Sequence, residues 1–305
     1  EVLFWVSTTP LADDPQMSRA LGLGRLNPEI IKGNHIIGQI GFAKGKVNGD
    51  ATFLFKPELD AVFNTFFNED FRSANFTRYI TDEQRDFSFF TSLNLSGIYN
   101  YALSKPDLKS AVEAALMKNG IDIKDLFRTF SGDFMVTTYQ APDGNPIAPR
   151  IFGTRVFYPE NARSYLKMLA STGVIQEVNP DIYLTPFKAG IIGADTAVVA
   201  DAPPSYFWAI LKNDFLFFTN NRTILEQLNN GGYAASQQSK IDIAKAMKGN
   251  LMAGQLDYSR QLNSKGNTSD WEYFSFHWNK QNFEFELVLK DKAVYALQKL
   301  IEQNL

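Results

Sequence analysis

The chain of 305 residues carries 30 basic and 33 acidic side chains, a formal charge of −3, 45% hydrophobic residues and no cysteine. That balance supports one large core or two ordinary domains and excludes wholesale disorder. The even spread of charge lacks the basic footprint of a nucleic-acid binder, and the missing cysteines exclude disulfides, a thiol nucleophile and a Cys-based metal cage.

In chain order, Val2 to Ser7 reads as a strand. The sequence opens at Glu1 without an initiator Met, which places any targeting peptide or lipid anchor upstream of this segment. Pro57 to Phe71 sets Leu59, Val62, Phe63, Phe66 and Phe67 at helical spacing behind a first-turn proline. Ser104 caps a second predicted helix, which starts at Pro106 and stops at Gly120. A short helix from Ile123 to Phe130 leads through Ser131-Gly132-Asp133 into a strand, Phe134 to Tyr139. The run Ala141 to Pro149 holds three prolines and a glycine, so the expected division lies there: an N-terminal part, 1–140, and a C-terminal part, 150–305, unless both form one continuous domain. Beyond it come a strand, Ile151 to Tyr158, and a helix, Pro159 to Leu169. A strand pair follows, Tyr206 to Leu211 and Phe215 to Thr219, then a helix from Asn221 to Leu228. No run reaches the ~20 apolar residues of a spanning helix, since even Ile191 to Ala200 is interrupted.

Trp271 to Lys290 is the most legible segment. Alternation puts Phe274, Phe276 and Trp278 on one face of a strand, and Phe283, Phe285, Leu287 and Leu289 on one face of the next, across a turn from Asn279 to Asn282. If Trp278 faces Phe283, His277 faces Glu284 and Ser275 faces Glu286 on the other side. A helix from Ala293 to Gln303 closes the chain. With 26 Phe and 14% aromatic residues, the expected class is α+β, antiparallel sheets with helices packed on one face.

Catalytic grammar is absent. His35 and His277 are the only histidines, too few for a His-rich metal site, and neither lies in a recognisable motif. Gly22-Leu23-Gly24-Arg25 lacks the third glycine and the helix of a phosphate loop. Asp13-Asp14 and Glu69-Asp70 sit in turn-like or helix-end sequence, and the four Asn-x-Ser/Thr triplets at Asn75, Asn94, Asn221 and Asn267 occur at chance frequency. No catalytic, metal or cofactor-binding residue is assigned and no cofactor is implied. The candidate binding surface is Trp271, Tyr273, His277, Glu284 and Glu286, with Phe207 or Trp208 as possible additions to an aromatic platform. Charges on the outer face of an antiparallel sheet also arise simply because that face meets water.

The order of segments carries a resemblance. A Ser-Gly-Asp step into a strand (Ser131 to Tyr139) is followed by a Tyr-bearing strand (Tyr183) and a strand pair ending in Thr219-Asn220-Asn221. Then come the Phe-His-Trp hairpin (Phe276 to Trp278) and a Lys-rich final helix (Lys290 to Leu300). Together these resemble the uncharacterised exported lipoproteins of Bacteroidota grouped as domain-of-unknown-function family 4836, over most of the chain from about Gly45. The resemblance implies export, a lipid anchor upstream and a place at the cell envelope, in the periplasm or at the outer-membrane surface, with no catalytic residues to carry over. Asp195-Thr196-Ala197 fits the O-glycosylation pattern of exported proteins of that phylum. The expected function is a non-catalytic envelope module binding a protein or glycan. The alternatives are a hydrolase whose carboxylates converge only in three dimensions, or an apolar-ligand carrier.

Overall fold

The computed structural model describes residues 1–10, 32–68, 70–104, 110, 123–141, 147–187, 205–258 and 269–304. In chain order the elements are β1 (Val2–Ser7), β2 (His35–Ala43), β3 (Lys46–Leu54), α1 (Pro57–Phe66), a 3-10 helix (Ala74–Tyr79), β4 (Arg85–Ser92), α2 (Leu95–Leu103), α3 (Ile123–Thr129) and β5 (Phe130–Tyr139). There follow β6 (Arg150–Val156), α4 (Pro159–Ser171), β7 (Gln176–Asn179), β8 (Ile182–Phe187), β9 (Ser205–Lys212), β10 (Phe215–Thr219) and α5 (Arg222–Asn229). The last are α6 (Ile243–Met247), β11 (Met252–Asp257), β12 (Trp271–Trp278), β13 (Asn282–Leu289) and α7 (Ala296–Asn304).

The chain divides into two compact units, one made of residues 1–71 and 245–305, the other of 72–244. The division does not fall at the Pro-rich run 141–149. That run joins β5 to β6, which pair as antiparallel neighbours within the second unit.

The first unit has six antiparallel strands in the order β1-β2-β3-β13-β12-β11. Strand alternation gives the sheet two unlike faces. The apolar face carries Ile40, Phe42, Val47, Phe285, Leu287 and Leu289, against which α7 sets Ala296 and Leu300. α1 packs Phe63 edge-on to Trp278, their ring centroids 5.1 Å apart, and Phe53 and Phe55 extend the cluster. α1 ends at Phe66, five residues short of its expected end, where Phe67 turns to an extended backbone.

The second unit has seven antiparallel strands in the order β4-β5-β6-β10-β9-β8-β7. Here the expectation of helices packed on one face is corrected: antiparallel sheet dominates the molecule, and helices cover both faces of this one. On one face α4 buries Ala162 and Leu166 against Val156, Tyr183, Ala209, Leu211 and Leu216. On the other, Phe76 and Tyr79 of the 3-10 helix meet Phe215 and Phe217 at centroid distances of 4.6–6.3 Å, and α5 packs on β9 and β10. The reason lies in β10, Phe-Leu-Phe-Phe-Thr, which has no polar face to offer water and needs cover on both sides. α5 begins where Asn221 accepts the Ile224 amide at 3.0 Å, a side-chain cap.

Near the start of β5, beside the end of β4, Asp133 of the Ser131-Gly132-Asp133 step is the centre of a buried knot. Asp133 accepts the hydroxyls of Ser73 at 2.6 Å and Ser92 at 2.9 Å, and the Arg72 amide at 2.9 Å. Gly132, at φ +89°, lies so close to the Leu93 carbonyl that a Cβ would overlap it. All but Ser110 of the helix expected from Pro106 to Gly120 lies outside the described residues, and Ser104, its expected cap, instead ends α2 as a C-cap. α2, which the sequence reading missed, occupies Leu95–Leu103 and is capped by Asn94.

Candidate functional site

The outer face of the six-stranded sheet is polar because β3, β12 and β13 alternate. Lys46, Asn48, Asp50 and Thr52 share a face with Asn282, Glu284 and Glu286, and with Tyr273, Ser275 and His277. The ladder aligns them in cross-strand rows. One row runs Leu3, Gln39, Asp50, Glu284, His277, Ala253, and the next Gly41, Asn48, Glu286, Ser275, Gln255. The expected register of the hairpin is the observed one, with His277 opposite Glu284 and Ser275 opposite Glu286. An open groove of about 550 Å³ lies over the short side chain of Ser275, lined by residues that include Lys46, Asn48, Asp50, His277, Asn282 and Glu284.

Much of the groove wall is tied by its own hydrogen bonds. Gln39 donates its amide to Asp50 at 2.8 Å, and Thr52 donates to the Asn282 side-chain oxygen at 3.1 Å. Glu286 accepts from Lys46 Nζ at 2.8 Å and from the Tyr273 hydroxyl at 3.0 Å. The Lys46 ammonium, aided by Tyr273 and by the more distant charge of Lys292, holds the Glu286 carboxyl below the usual range. Burial first, and the Glu286 carboxylate second, push the Tyr273 phenol up to about 12.

His277 and Glu284 face each other in the middle row. Nδ1 of His277 lies 3.1 Å from the Ala246 carbonyl. A carbonyl only accepts, so Nδ1 carries a proton, and in that tautomer Nε2 is the ring's acceptor. Glu284 is exposed and makes no hydrogen bond or ion pair among the described residues.

Of the five residues singled out from sequence, Tyr273, His277, Glu284 and Glu286 share this face. Trp271 does not: it is 8% exposed and sits in the core with Val47 and Leu289. A register shift between Trp271 and Tyr273 adds one residue to β12 and turns Trp271 to the opposite side. Phe207 is also in a core, its ring 5.8 Å from that of Phe152. Trp208 lines a separate open cleft of about 390 Å³ with Arg222, Leu225 and Glu226. The aromatic platform imagined from these residues is therefore not formed.

Sequence reasoning missed Gln39, Lys46, Asn48, Asp50 and Asn282. The signal existed in β3, where polar residues recur at every second position from Lys46 to Thr52. It missed Trp5 as well, which stacks on His35 at 4.9 Å on the same face. Asp13-Asp14, Gly22 to Arg25, Glu69, Asn267 and Asp195 to Ala197 lie outside the described residues. Among the described residues no group of three or more His, Asp or Glu could hold a metal ion, and no helix is long and apolar enough to cross a membrane. No protein-family model matches the chain, and no match is found among curated proteins or solved structures.

Proposed function

We propose that the chain is a non-catalytic cell-envelope module that binds a glycan in the polar groove of its six-stranded sheet. The observation that carries this reading is the division of labour within the groove. The wall side chains are held by mutual hydrogen bonds, while the central pair, Glu284 and the Nε2 acceptor of His277, remains available. A preorganised rim around free acceptors suits the many hydroxyl donors of a sugar, and the Asn48 and Asn282 amides offer donors for its oxygens. Protein interfaces centre instead on buried apolar anchors depleted in charge, which this groove lacks. The envelope placement rests on the family resemblance.

A glycoside hydrolase needs a carboxyl that keeps its proton near neutral pH. Glu286 moves the opposite way, so it does not supply that acid. The test is a glycan panel followed by titration of the best ligand. Glu284→Ala and His277→Ala should each weaken binding about tenfold or more, with stability changed by no more than about 0.5 kcal/mol at the exposed Glu284 and by about 1 kcal/mol at His277, which loses its hydrogen bond to the Ala246 carbonyl. Turnover of a bound glycan, or saturable capture of an envelope protein that ignores both substitutions, would overturn the reading.

A further inference from the structure

β1 ends the strand order of the first unit, so its outer backbone edge has no partner strand among the described residues. Edge strands are usually blunted by short length, a charge, a proline or a bulge, since an open edge pairs with any available strand. β7, which ends the strand order of the second unit, uses three of these devices: it has four residues, carries Glu177, and its register shifts between Glu177 and Asn179. β1 uses none of them. Its six residues, Val-Leu-Phe-Trp-Val-Ser, hold no charge and no proline, and they pair with β2 through six consecutive partners without a shift. Its side chains are also unusually open, with Leu3 79% exposed, Trp5 62% and Val2 52%, beside Ile37 of β2 at 45%.

We infer that β1 is a self-association edge, at which a second copy of this chain adds antiparallel, strand to strand. The sequence of β1 is complementary to itself. A two-fold axis at Phe4 sets Leu3 opposite Trp5 of the second copy, Val2 opposite Val6, and Glu1 opposite Ser7. Every exposed apolar side chain thus meets an apolar one and no like charges face each other. Opposite residues of an antiparallel pair share a face, so Leu3, Trp5 and Ile37 of both copies merge into one patch. The contact is isologous and closes at two copies. It also sets both polar grooves on the same face of a joined sheet, where a repetitive ligand engages them together.

Sedimentation of the full chain across a hundredfold concentration range should show a reversible dimer. Leu3→Lys and Trp5→Lys, both at exposed positions, should raise the dissociation constant about tenfold or more, with Leu3→Lys leaving the thermal midpoint of the dilute monomer unchanged. Because the chain has no cysteine, register can be read directly. Leu3→Cys mixed with Trp5→Cys should crosslink about ten times faster than either alone, since directly opposite residues are close enough for a disulfide and diagonal ones are not. A monomer at every concentration, open-ended oligomers, or a dimer indifferent to both lysine substitutions would overturn the inference.

Discussion

Glu286 shows how a side chain on an open sheet face acquires a fixed role. Lys46 reaches it diagonally across one strand pair and Tyr273 diagonally across the next. Its carboxyl is held below the usual range in the folded chain. A lowered folded value means that the stabilisation is fully present above the unfolded carboxyl value of about 4.3 and is lost as pH falls through the folded value. The difference in urea midpoint between the natural chain and Glu286→Gln should therefore stay constant from pH 8 to about 5 and shrink below that. Partly exposed ion pairs contribute about 1 kcal/mol or less, so the constant difference should be of that size. A difference that grows on acidification would show that Glu286 is not the acceptor in this pair. The same scale shows what could be read in advance. His277 opposite Glu284 follows from alternation alone, because turning this hairpin over by one residue would put five aromatic side chains, Phe274, Phe276, Trp278, Phe283 and Phe285, into water. Trp271 was misplaced because a bulge has no signature in alternation.

At the scale of elements, Asp133 ties the start of the second unit, the end of β4 and the start of β5 through one carboxylate. Asp133→Ala would strand two buried hydroxyls and the part-buried Arg72 amide, for which a loss of about 3 kcal/mol is expected, whereas Ser92→Ala removes one donor and its bond and should cost about 1 kcal/mol. Chemical denaturation of both variants checks the ratio; equal losses would mean that the carboxylate is not the hub. Strands differed sharply in legibility. β12, β13, β9 and β10 are rich in aromatic and aliphatic residues and declare themselves, but β2 and β3 were not recognised because glycine, asparagine and aspartate disfavour strands. The structure explains the glycines by close approach. The Phe4 ring lies over Gly38 and the Phe285 ring over Gly49, so that a Cβ at either position would overlap it. Aromatic rings from neighbouring strands fill the spaces those glycines leave, an arrangement that requires knowledge of which strands are adjacent.

At the scale of the molecule, the second unit is one continuous stretch of chain and the first is not. The Pro-rich run 141–149 was a poor guide to this, because proline and glycine mark a surface turn whether or not a domain ends there. The divisions at 71/72 and 244/245 fall in ordinary sequence. Continuity has a consequence for folding. Residues 72–244 contain seven mutually paired strands and the cluster around Val156, Tyr183 and Leu216, a stretch of ordinary domain size. Residues 1–71 contain β1, β2 and β3, but Lys46 to Thr52 take their partners from Val288 to Asn282, and the cover over Ile40 and Val47 comes from α7. The N-terminal strands therefore wait for the last part of the chain, across an insertion whose closure entropy grows only slowly with its length. Expressed alone, 72–244 should unfold in a single cooperative urea transition with dispersed amide resonances, while 1–71 should show neither. A cooperative 1–71 would mean that the first three strands carry their own core. A non-cooperative 72–244 would mean that the second unit depends on the first, and that the two compact units are a single unit of folding.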